Sequence, residues 1–265
     1  MEATRRNLGF LCAIILLLAS GSCTTVPVTG RSQFTGLVSP SQEMQLGLTA
    51  FDQMKKETAV SRDPALNAMV NRVGRRIASV AELPNAQWEF VVFESSEVNA
   101  FCLPGGKVGI YKGILPVTKD EAGLATVIGH EVAHAVARHG AERMSQSTAL
   151  QVGGEVLGAA LTKATPQSQA LASTVYGLGS QVGVLLPYSR KHEAEADQIG
   201  LIYMARAGYR PEAAVDFWRR FAEYNQKHGG ASQPWFLRTH PLDEDRIRSL
   251  QEWLPRAQAE YRPAS

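Results

Sequence analysis

Cysteine and net charge are both scarce in this sequence. Its three cysteines, Cys12, Cys23 and Cys102, are too few among 265 residues for a fold held together by disulfides. The 27 lysines and arginines nearly balance 25 aspartates and glutamates, so the net charge of +2 gives no basic face for nucleic acid. Charged residues make up 20% and hydrophobic residues 45%, which excludes a disordered chain, a collagen-like repeat and a polytopic membrane protein. We therefore expect a globular protein of one large domain or two small ones, with no nucleic-acid partner.

The first residues of the chain have the layout of a targeting signal. Arg5 and Arg6 precede an apolar run over residues 8–19, which is too short for a comfortable transmembrane span. Small residues then lead to Cys23, as in a bacterial lipoprotein signal peptide. We therefore predict a signal peptide over 1–22 and a lipid on Cys23 that anchors the chain to a membrane. Ordinary cleavage near residues 19–21 and an uncleaved anchor are the alternatives.

The rest of the chain is expected to lie in a bacterial cell envelope. Thr24 stands where an aspartate would favour the inner membrane, which favours the outer membrane with the protein facing the periplasm. Prolines and glycines predict a lipidated tether over 23–40, and 41–265 are predicted to form a single domain. Residues 148–189 are poor in charge and rich in small residues, which predicts a helical hairpin. That hairpin is either mobile near the active site, facing a membrane, or an ordinary helix pair in the core.

Hydrophobic periodicity predicts a mainly α-helical α+β fold. Apolar residues recur at helical spacing in most of the chain, and β-rich runs around a Pro-Gly-Gly turn interrupt them. The predicted helices cover residues 41–57, 64–77, 120–147, 191–207, 211–225 and 241–254. The predicted strands, 88–93, 98–103 and 107–111, indicate a small antiparallel sheet of three or four strands.

The most specific motif is HEVAH at residues 130–134. Positions i and i+4 of an α-helix lie about 40° apart around its axis, so His130 and His134 can point at one metal ion. Glu131 is rotated by about 100° from His130 and can reach a catalytic water without binding the metal. The neighbours are apolar, and burying two imidazoles and a carboxylate is costly unless something satisfies them. The alternative is a pair of hydrogen-bonded core histidines.

A catalytic zinc site needs a third protein ligand. The pattern HExxHxxGxxH fails here, because Gly140 stands at the position of its third histidine and Ala137 at that of its glycine. His139 is one residue out of register. On a later predicted helix, Glu193 lies four residues before Asp197, so both share one face. Glu193 can bind the metal while Asp197 holds the outer nitrogen of a ligand histidine.

Three other reactive side chains are not expected to take part in catalysis. His192 is expected at the surface, and Glu195 in solvent or in an ion pair, because neither shares the face of Glu193. Cys102 is expected to be a small buried hydrophobic residue.

With both motifs in place, the sequence resembles the M48 metallopeptidases, in particular their lipoprotein and mitochondrial quality-control branch. The resemblance runs over nearly the whole chain after Cys23. It is carried by PVTGR (27–31), NAF (99–101), LPGG (103–106), HEVAH (130–134), SR (189–190), EAEAD (193–197), THP (239–241) and RI (246–247). The resemblance implies a gluzincin-type metalloprotease domain that holds one Zn²⁺ per chain. It also implies unfolded or misassembled envelope proteins as substrates, and a proton-donor role for Asp197.

The resulting hypothesis is zinc-dependent hydrolysis of peptide bonds. His130, His134 and Glu193 would bind Zn²⁺, and Glu131 would act as the general base. His240, in a turn before a proline, is the candidate donor to the oxyanion. Two alternatives remain for His240: a fourth ligand that keeps the enzyme latent, or a turn residue that caps the following helix.

Two hypotheses remain, one on how the substrate binds and one on a function without catalysis. Residues 98–101 precede the catalytic helix and are predicted to be an edge strand on which an unfolded substrate adds as a further strand. The rival function is a zinc-binding scaffold or holdase without catalysis. The intact Glu131 argues against this rival, since degenerate proteases usually lose the general base.

Overall fold

We describe residues 23–162, 165–180, 186–228, 234–241 and 244–263 of the chain from a computed structural model. The elements are β1 (Cys23–Thr25), β2 (Ser32–Phe34), α1 (Pro40–Glu57), α2 (Pro64–Ala78), β3 (Glu89–Phe93), β4 (Ala100–Leu103), β5 (Lys107–Tyr111), a 3₁₀ turn (Lys112–Ile114), α3 (Leu115–Thr118), α4 (Glu121–Val136), α5 (His139–Ala160), α6 (Pro166–Ser180), α7 (Leu186–Arg206), α8 (Glu212–His228), α9 (Trp235–Thr239) and α10 (Glu244–Glu260). The predicted mainly helical α+β fold is confirmed. Within these ranges, every helix is too short or too polar to cross a membrane. The predicted signal peptide over 1–22 lies outside the described residues.

Helix α2 begins where the sequence predicts, and for the predicted reason. The carboxylate of Asp63 accepts hydrogen bonds from the backbone N–H groups of Ala65 and Leu66 at 2.8 and 3.1 Å. Pro64 occupies the first helical position, where its missing N–H is not needed. The apolar stripe of the helix is buried, including Val70 and Ile77. Local capping and periodicity therefore fix this element.

The single helix predicted over 120–147 is instead two helices. Arg138 lies between α4 and α5 with φ +51°, a left-handed conformation that ends an α-helix. Its guanidinium donates to Thr35 Oγ1 and to the carbonyl of Val38, both at 3.0 Å. These long-range bonds stabilise a break in the helix at position 138, where the sequence has neither glycine nor proline.

One compact unit combines the described residues up to Gln42 with Arg138–Pro187. The segment predicted as a tether forms an antiparallel hairpin of β1 and β2, in which Cys23 pairs with Phe34. Arg31 binds Glu142 of α5 through both carboxylate oxygens, at 3.0 and 2.8 Å. The predicted domain boundaries stay predictions.

The predicted helical hairpin is present in this unit as α5 and α6; its residues 163–164 and 181–185 lie outside the described residues. The Tyr176 hydroxyl donates to the carbonyl of Leu150 at 2.8 Å and covers Gly153. Several apolar side chains on the two helices are 46–67% exposed: Met144, Val152, Val156, Leu171 and Val175.

The other unit, Glu43–Ala137 with Tyr188–Ser265, contains the three-stranded sheet. The prediction of an antiparallel sheet is wrong in one respect, because the strand order is β3-β5-β4 and β3 runs parallel to β5. β4 and β5 form the expected antiparallel hairpin across Gly105 and Gly106, whose φ values are positive. The connection over residues 94–99 joins β3 to β4, and β5 lies between these two strands in the sheet. Residues 59–61 then bond along the outer edge of β3, with Ser61 N–H donating to the Val92 carbonyl at 2.8 Å.

Helices α4 and α7 cross in direct backbone contact. A Cβ atom on Gly200 of α7 would lie 2.9 Å from both the carbonyl carbon of Gly129 and the amide nitrogen of His130. A Cβ on Gly129 would lie 3.0 Å from the carbonyl oxygen of Gly200. The two helices can approach this closely because glycine stands at both contact positions. The approach brings residues 130 and 197 within hydrogen-bond distance.

Candidate metal centre

Helix α4 carries the HEVAH motif into the interior of its unit. Asp120 caps the helix by accepting a hydrogen bond from Gly123 N–H at 2.9 Å. The helix packs against α2, α8 and β4, so His130 and Glu131 are only 2% and 4% exposed. Polar groups buried this deeply need partners.

Four side chains from three segments converge there: His130 and His134 from α4, Glu193 from α7, and His240 after α9. Nε2 of His130 lies 3.1 Å from Nε2 of His134, 3.2 Å from Nδ1 of His240 and 3.3 Å from Oε2 of Glu193. Oε1 of Glu193 lies 3.4 Å from His134 Nε2, and Oε2 lies 3.0 Å from His240 Nδ1.

These separations fit a tetrahedral metal. Ligand bonds of about 2.05 Å at tetrahedral angles place the ligand atoms about 3.3 Å apart. The five separations above, which involve both oxygens of Glu193, are 3.0–3.4 Å and lie near that value, and one ligand atom from each of the four residues lies within 4.8 Å of the others. Three imidazole nitrogens and one carboxylate oxygen are also donor types that Zn²⁺ takes. The residues present therefore fit a zinc ion.

The charges in the cluster shift the pKa values of its members. Burial by itself lowers the pKa of His130, but the carboxylates of Asp197 and Glu193 outweigh it and raise the pKa to about 9 in the metal-free cluster. Burial would raise the pKa of Glu193, yet the surrounding histidines hold it well below its usual range. For Glu131 burial dominates, and it raises the pKa of that carboxyl against the opposing charges of the histidines. A buried carboxyl with a raised pKa suits a general base.

Asp197 binds the outer nitrogen of a ligand histidine, as the spacing predicts. Its Oδ1 lies 2.9 Å from Nδ1 of His130, and both of its oxygens accept hydrogen bonds from Arg246 at 2.8 Å. The Arg246 and His130 interactions keep the pKa of Asp197 low despite burial, which alone would raise it. With both oxygens engaged, the geometry favours the orienting role over that of a proton donor.

Glu131 has the position expected of a general base. Its Oε1 is buried and has no hydrogen-bond partner among the described residues. It lies 3.4 Å from Nε2 of His240. An orphaned buried carboxylate oxygen beside a metal-ligand cluster is placed to bond a water there.

His240 lies in the candidate metal cluster. Its N–H donates to the carbonyl of Phe236 at 2.7 Å, which ends α9, and its ring lies 4.6 Å from the ring of Phe236. The ring is thereby directed at His130 and Glu193. This direction agrees with the two functional roles expected for His240.

Comparison with known proteins agrees with this geometry. The family model described as peptidase family M48 matches residues 64–254. The chain belongs to peptidase family M48. It is 37% identical to the mitochondrial metalloendopeptidase OMA1 of Schizosaccharomyces pombe, over 88% of this chain and 67% of that protein. It is 31% identical to OMA1 of Saccharomyces cerevisiae, over 98% of this chain and 77% of that protein. The beta-barrel assembly-enhancing protease of Escherichia coli K12 is also 31% identical, over 85% of this chain and 46% of that protein.

The M48 resemblance, the expected fold and the expected metalloendopeptidase activity are thus confirmed. The predicted location in a bacterial envelope, at the outer membrane, is wrong, because the fungal and plant relatives are mitochondrial metalloendopeptidases. The inference from residues 8–24 used only local composition, which is shared by several kinds of targeting segment. Lipid attachment at Cys23 stays a prediction.

One surface assignment made from the sequence does not hold, and of the two places predicted for Glu195, solvent is excluded and an ion pair is left. His192 is 3% exposed and Glu195 is 5% exposed, because most of α7 around Glu193 is buried. The assignment of His192 to the surface is therefore wrong. Cys102 is half-buried on β4, and burial together with the nearby Glu131 charge raises the pKa of its thiol, which disfavours the reactive thiolate.

Sequence reasoning gave no role to Arg246 or Trp218. Arg246 is buried, with its guanidinium carbon 4.2 Å from the ring centre of Trp218. The Trp218 ring also contacts His130, at 5.7 Å between ring centres. One signal was available for Arg246: it lies four residues before the buried Leu250 and so shares the inner face of α10.

Proposed function

We propose that this M48 peptidase is a zinc-dependent endopeptidase that cleaves unfolded or misassembled proteins. The observation that carries the proposal is the cluster of His130, His134, Glu193 and His240, with Oε1 of Glu131 beside it and without a hydrogen-bond partner among the described residues. Zn²⁺ held there would acidify a water and polarise the scissile carbonyl.

The chain's own residues supply the proton transfer. Glu131 takes a proton at its buried Oε1 and gives it to the leaving amine. Its raised pKa brings it closer to the pKa of the groups with which it exchanges that proton. Asp197 holds the His130 ring in the tautomer that presents Nε2 to the cluster.

The open edge of β4 suits an unfolded substrate. β4 pairs with β5 on one side and, within the described ranges, with no strand on the other. Tyr111 N–H donates to the Asn99 carbonyl, so the alternation of antiparallel pairs turns the backbone groups of Ala100 and Cys102 away from β5. The Ala100 N–H donates to Asn99 Oδ1 at 2.9 Å, which leaves the Ala100 carbonyl and the backbone groups of Cys102 for a substrate strand. Strand addition there uses main-chain hydrogen bonds and tolerates many side chains.

A role in protein quality control follows from this mode of binding. Backbone recognition selects extended segments, which folded proteins do not offer and misassembled ones do. The name of the Escherichia coli relative, a beta-barrel assembly-enhancing protease, supports the same role.

The deciding experiment compares wild type with Glu131→Gln on casein, with and without a chelator. We expect chelator-sensitive cleavage by wild type and a loss of about 10²–10⁴-fold in Glu131→Gln, because a general base contributes that much. Zinc content per chain should be one in both proteins, since Glu131 is not a ligand. Cleavage that persists in the variant would refute the assigned base, and bound zinc without cleavage would favour the scaffold or holdase.

The role of His240 determines whether the resting enzyme has an open coordination position or is latent. Its Nδ1 lies as close to Glu193 and His130 as these lie to each other, which favours a fourth ligand in this conformation. His240→Ala should then raise the casein cleavage rate by opening a coordination position. A donor to the oxyanion would instead lower the rate by about 10²–10³-fold. An unchanged rate would refute both roles.

A further inference from the structure

Arg246 contacts several separate parts of the metal centre. Its Nε and Nη2 donate to the two oxygens of Asp197, each at 2.8 Å. Its Nη1 donates to the carbonyls of Pro241 and His240, at 2.8 and 3.4 Å, and lies 3.3 Å from Oε2 of Glu193. The side chain is 5% exposed, so water does not weaken these bonds.

The two arms of the guanidinium serve different ligands. One arm fixes Asp197, whose Oδ1 orients His130. The other arm holds the turn at residues 240–241, which places the His240 ring. The face of the guanidinium stacks on Trp218 and so cannot rotate freely.

We propose that Arg246 is a positioning residue that couples the orientation of His130, through Asp197, to the placement of His240, through the turn carbonyls. The inference rests on the metal site proposed above. Lysine carries the same charge but lacks the planar fork, so it cannot hold both arms at once. Arg248 provides the matched control, because it lies two residues away on α10, is 65% exposed and pairs within its helix with Asp245.

The experiment measures zinc affinity by competition with a chromophoric chelator, in wild type, Arg246→Lys and Arg248→Lys. We expect Arg246→Lys to lose about tenfold in affinity, at the low end of outer-shell effects, and Arg248→Lys to match wild type. The visible spectrum of the cobalt-substituted proteins should change in Arg246→Lys alone, because it reports ligand geometry. Circular dichroism of the metal-free proteins checks that both variants fold.

Coupling is tested by repeating Arg246→Lys in two backgrounds, Asp197→Asn and His240→Ala. We expect the affinity loss to be smaller in each background than in wild type, because one arm then has nothing left to position. An equal loss in all three backgrounds would show a general structural effect and overturn the proposal. A loss that shrinks in one background only would overturn the coupling. If wild type binds no zinc, the proposed function fails first, whereas normal zinc binding by Arg246→Lys refutes only the role of Arg246.

Discussion

The contact between Gly129 and Gly200 sets the distance between the two helices that carry the metal ligands. In Gly200→Ala the new Cβ would lie 2.9 Å from the backbone of α4, at Gly129 and His130. Carbon atoms in van der Waals contact lie at least about 3.5 Å apart, so the helices would have to separate by about 0.6 Å. The obstacle is backbone, which cannot rotate away as a side chain can.

That separation acts on both metal binding and stability. The His130 Nδ1–Asp197 Oδ1 distance would lengthen from 2.9 Å to about 3.5 Å, beyond a normal hydrogen bond. Losing an outer partner of this kind lowers metal affinity by about 10–100-fold. Overpacking costs up to about 3 kcal/mol, and replacing a helical glycine by alanine returns about 1 kcal/mol. We therefore expect the metal-free variant to lose about 2 kcal/mol in the free energy of unfolding.

The assay is urea unfolding of the metal-free proteins, together with zinc affinity by chelator competition. Gly158→Ala in α5 is the matched control, because a Cβ there meets nothing within 4 Å. It should raise stability by up to about 1 kcal/mol. If Gly200→Ala is as stable as Gly158→Ala and binds zinc like wild type, the helix crossing does not set the ligand geometry.

Two further predictions concern ion pairs away from the metal. Arg31→Met leaves Glu142, 2% exposed, without its bidentate partner, so unfolding in urea should show a loss of about 1–3 kcal/mol. Adding Glu142→Leu should restore most of it, and a double variant as weak as the single one would contradict this account. Partial burial would raise the pKa of Glu89, but its bonds to Lys55 and Lys107 outweigh burial and lower it. The stability that Glu89 contributes is therefore present above the unfolded pKa of about 4.3 and lost below it. The difference between wild type and Glu89→Gln should be visible at pH 7, at under about 1 kcal/mol, and should shrink between about pH 5 and pH 3; a constant difference would contradict it.

The candidate metal ligands were predictable where helical geometry alone decides which residues meet. His130 and His134 share a face because they are four residues apart, and Glu193 and Asp197 do so for the same reason. The structure then adds only the crossing of the two helices. The N-cap of α2 was predictable in the same way, because Asp63 and Pro64 act on their own neighbours.

What the sequence did not predict depends on contacts between distant segments. The break at Arg138 is stabilised by bonds to residues about a hundred positions earlier. The parallel pairing of β3 with β5 follows from the path of the connection, which strand propensity does not encode. Arg246 and Arg248 are the same residue type two positions apart, and only packing against α7 and α8 distinguishes them.

The charges around the metal centre explain why a positively charged side chain is needed at position 246. Three buried carboxylates, those of Glu131, Glu193 and Asp197, lie around the buried guanidinium of Arg246. With all four ionised, the formal charge left in the interior is minus two, which a divalent cation neutralises. Without the metal, protons compensate, which agrees with the raised pKa values of His130 and Glu131. Without Arg246 a divalent ion would leave one negative charge uncompensated, so the same residue that positions the ligands also matches the site to a metal of charge two.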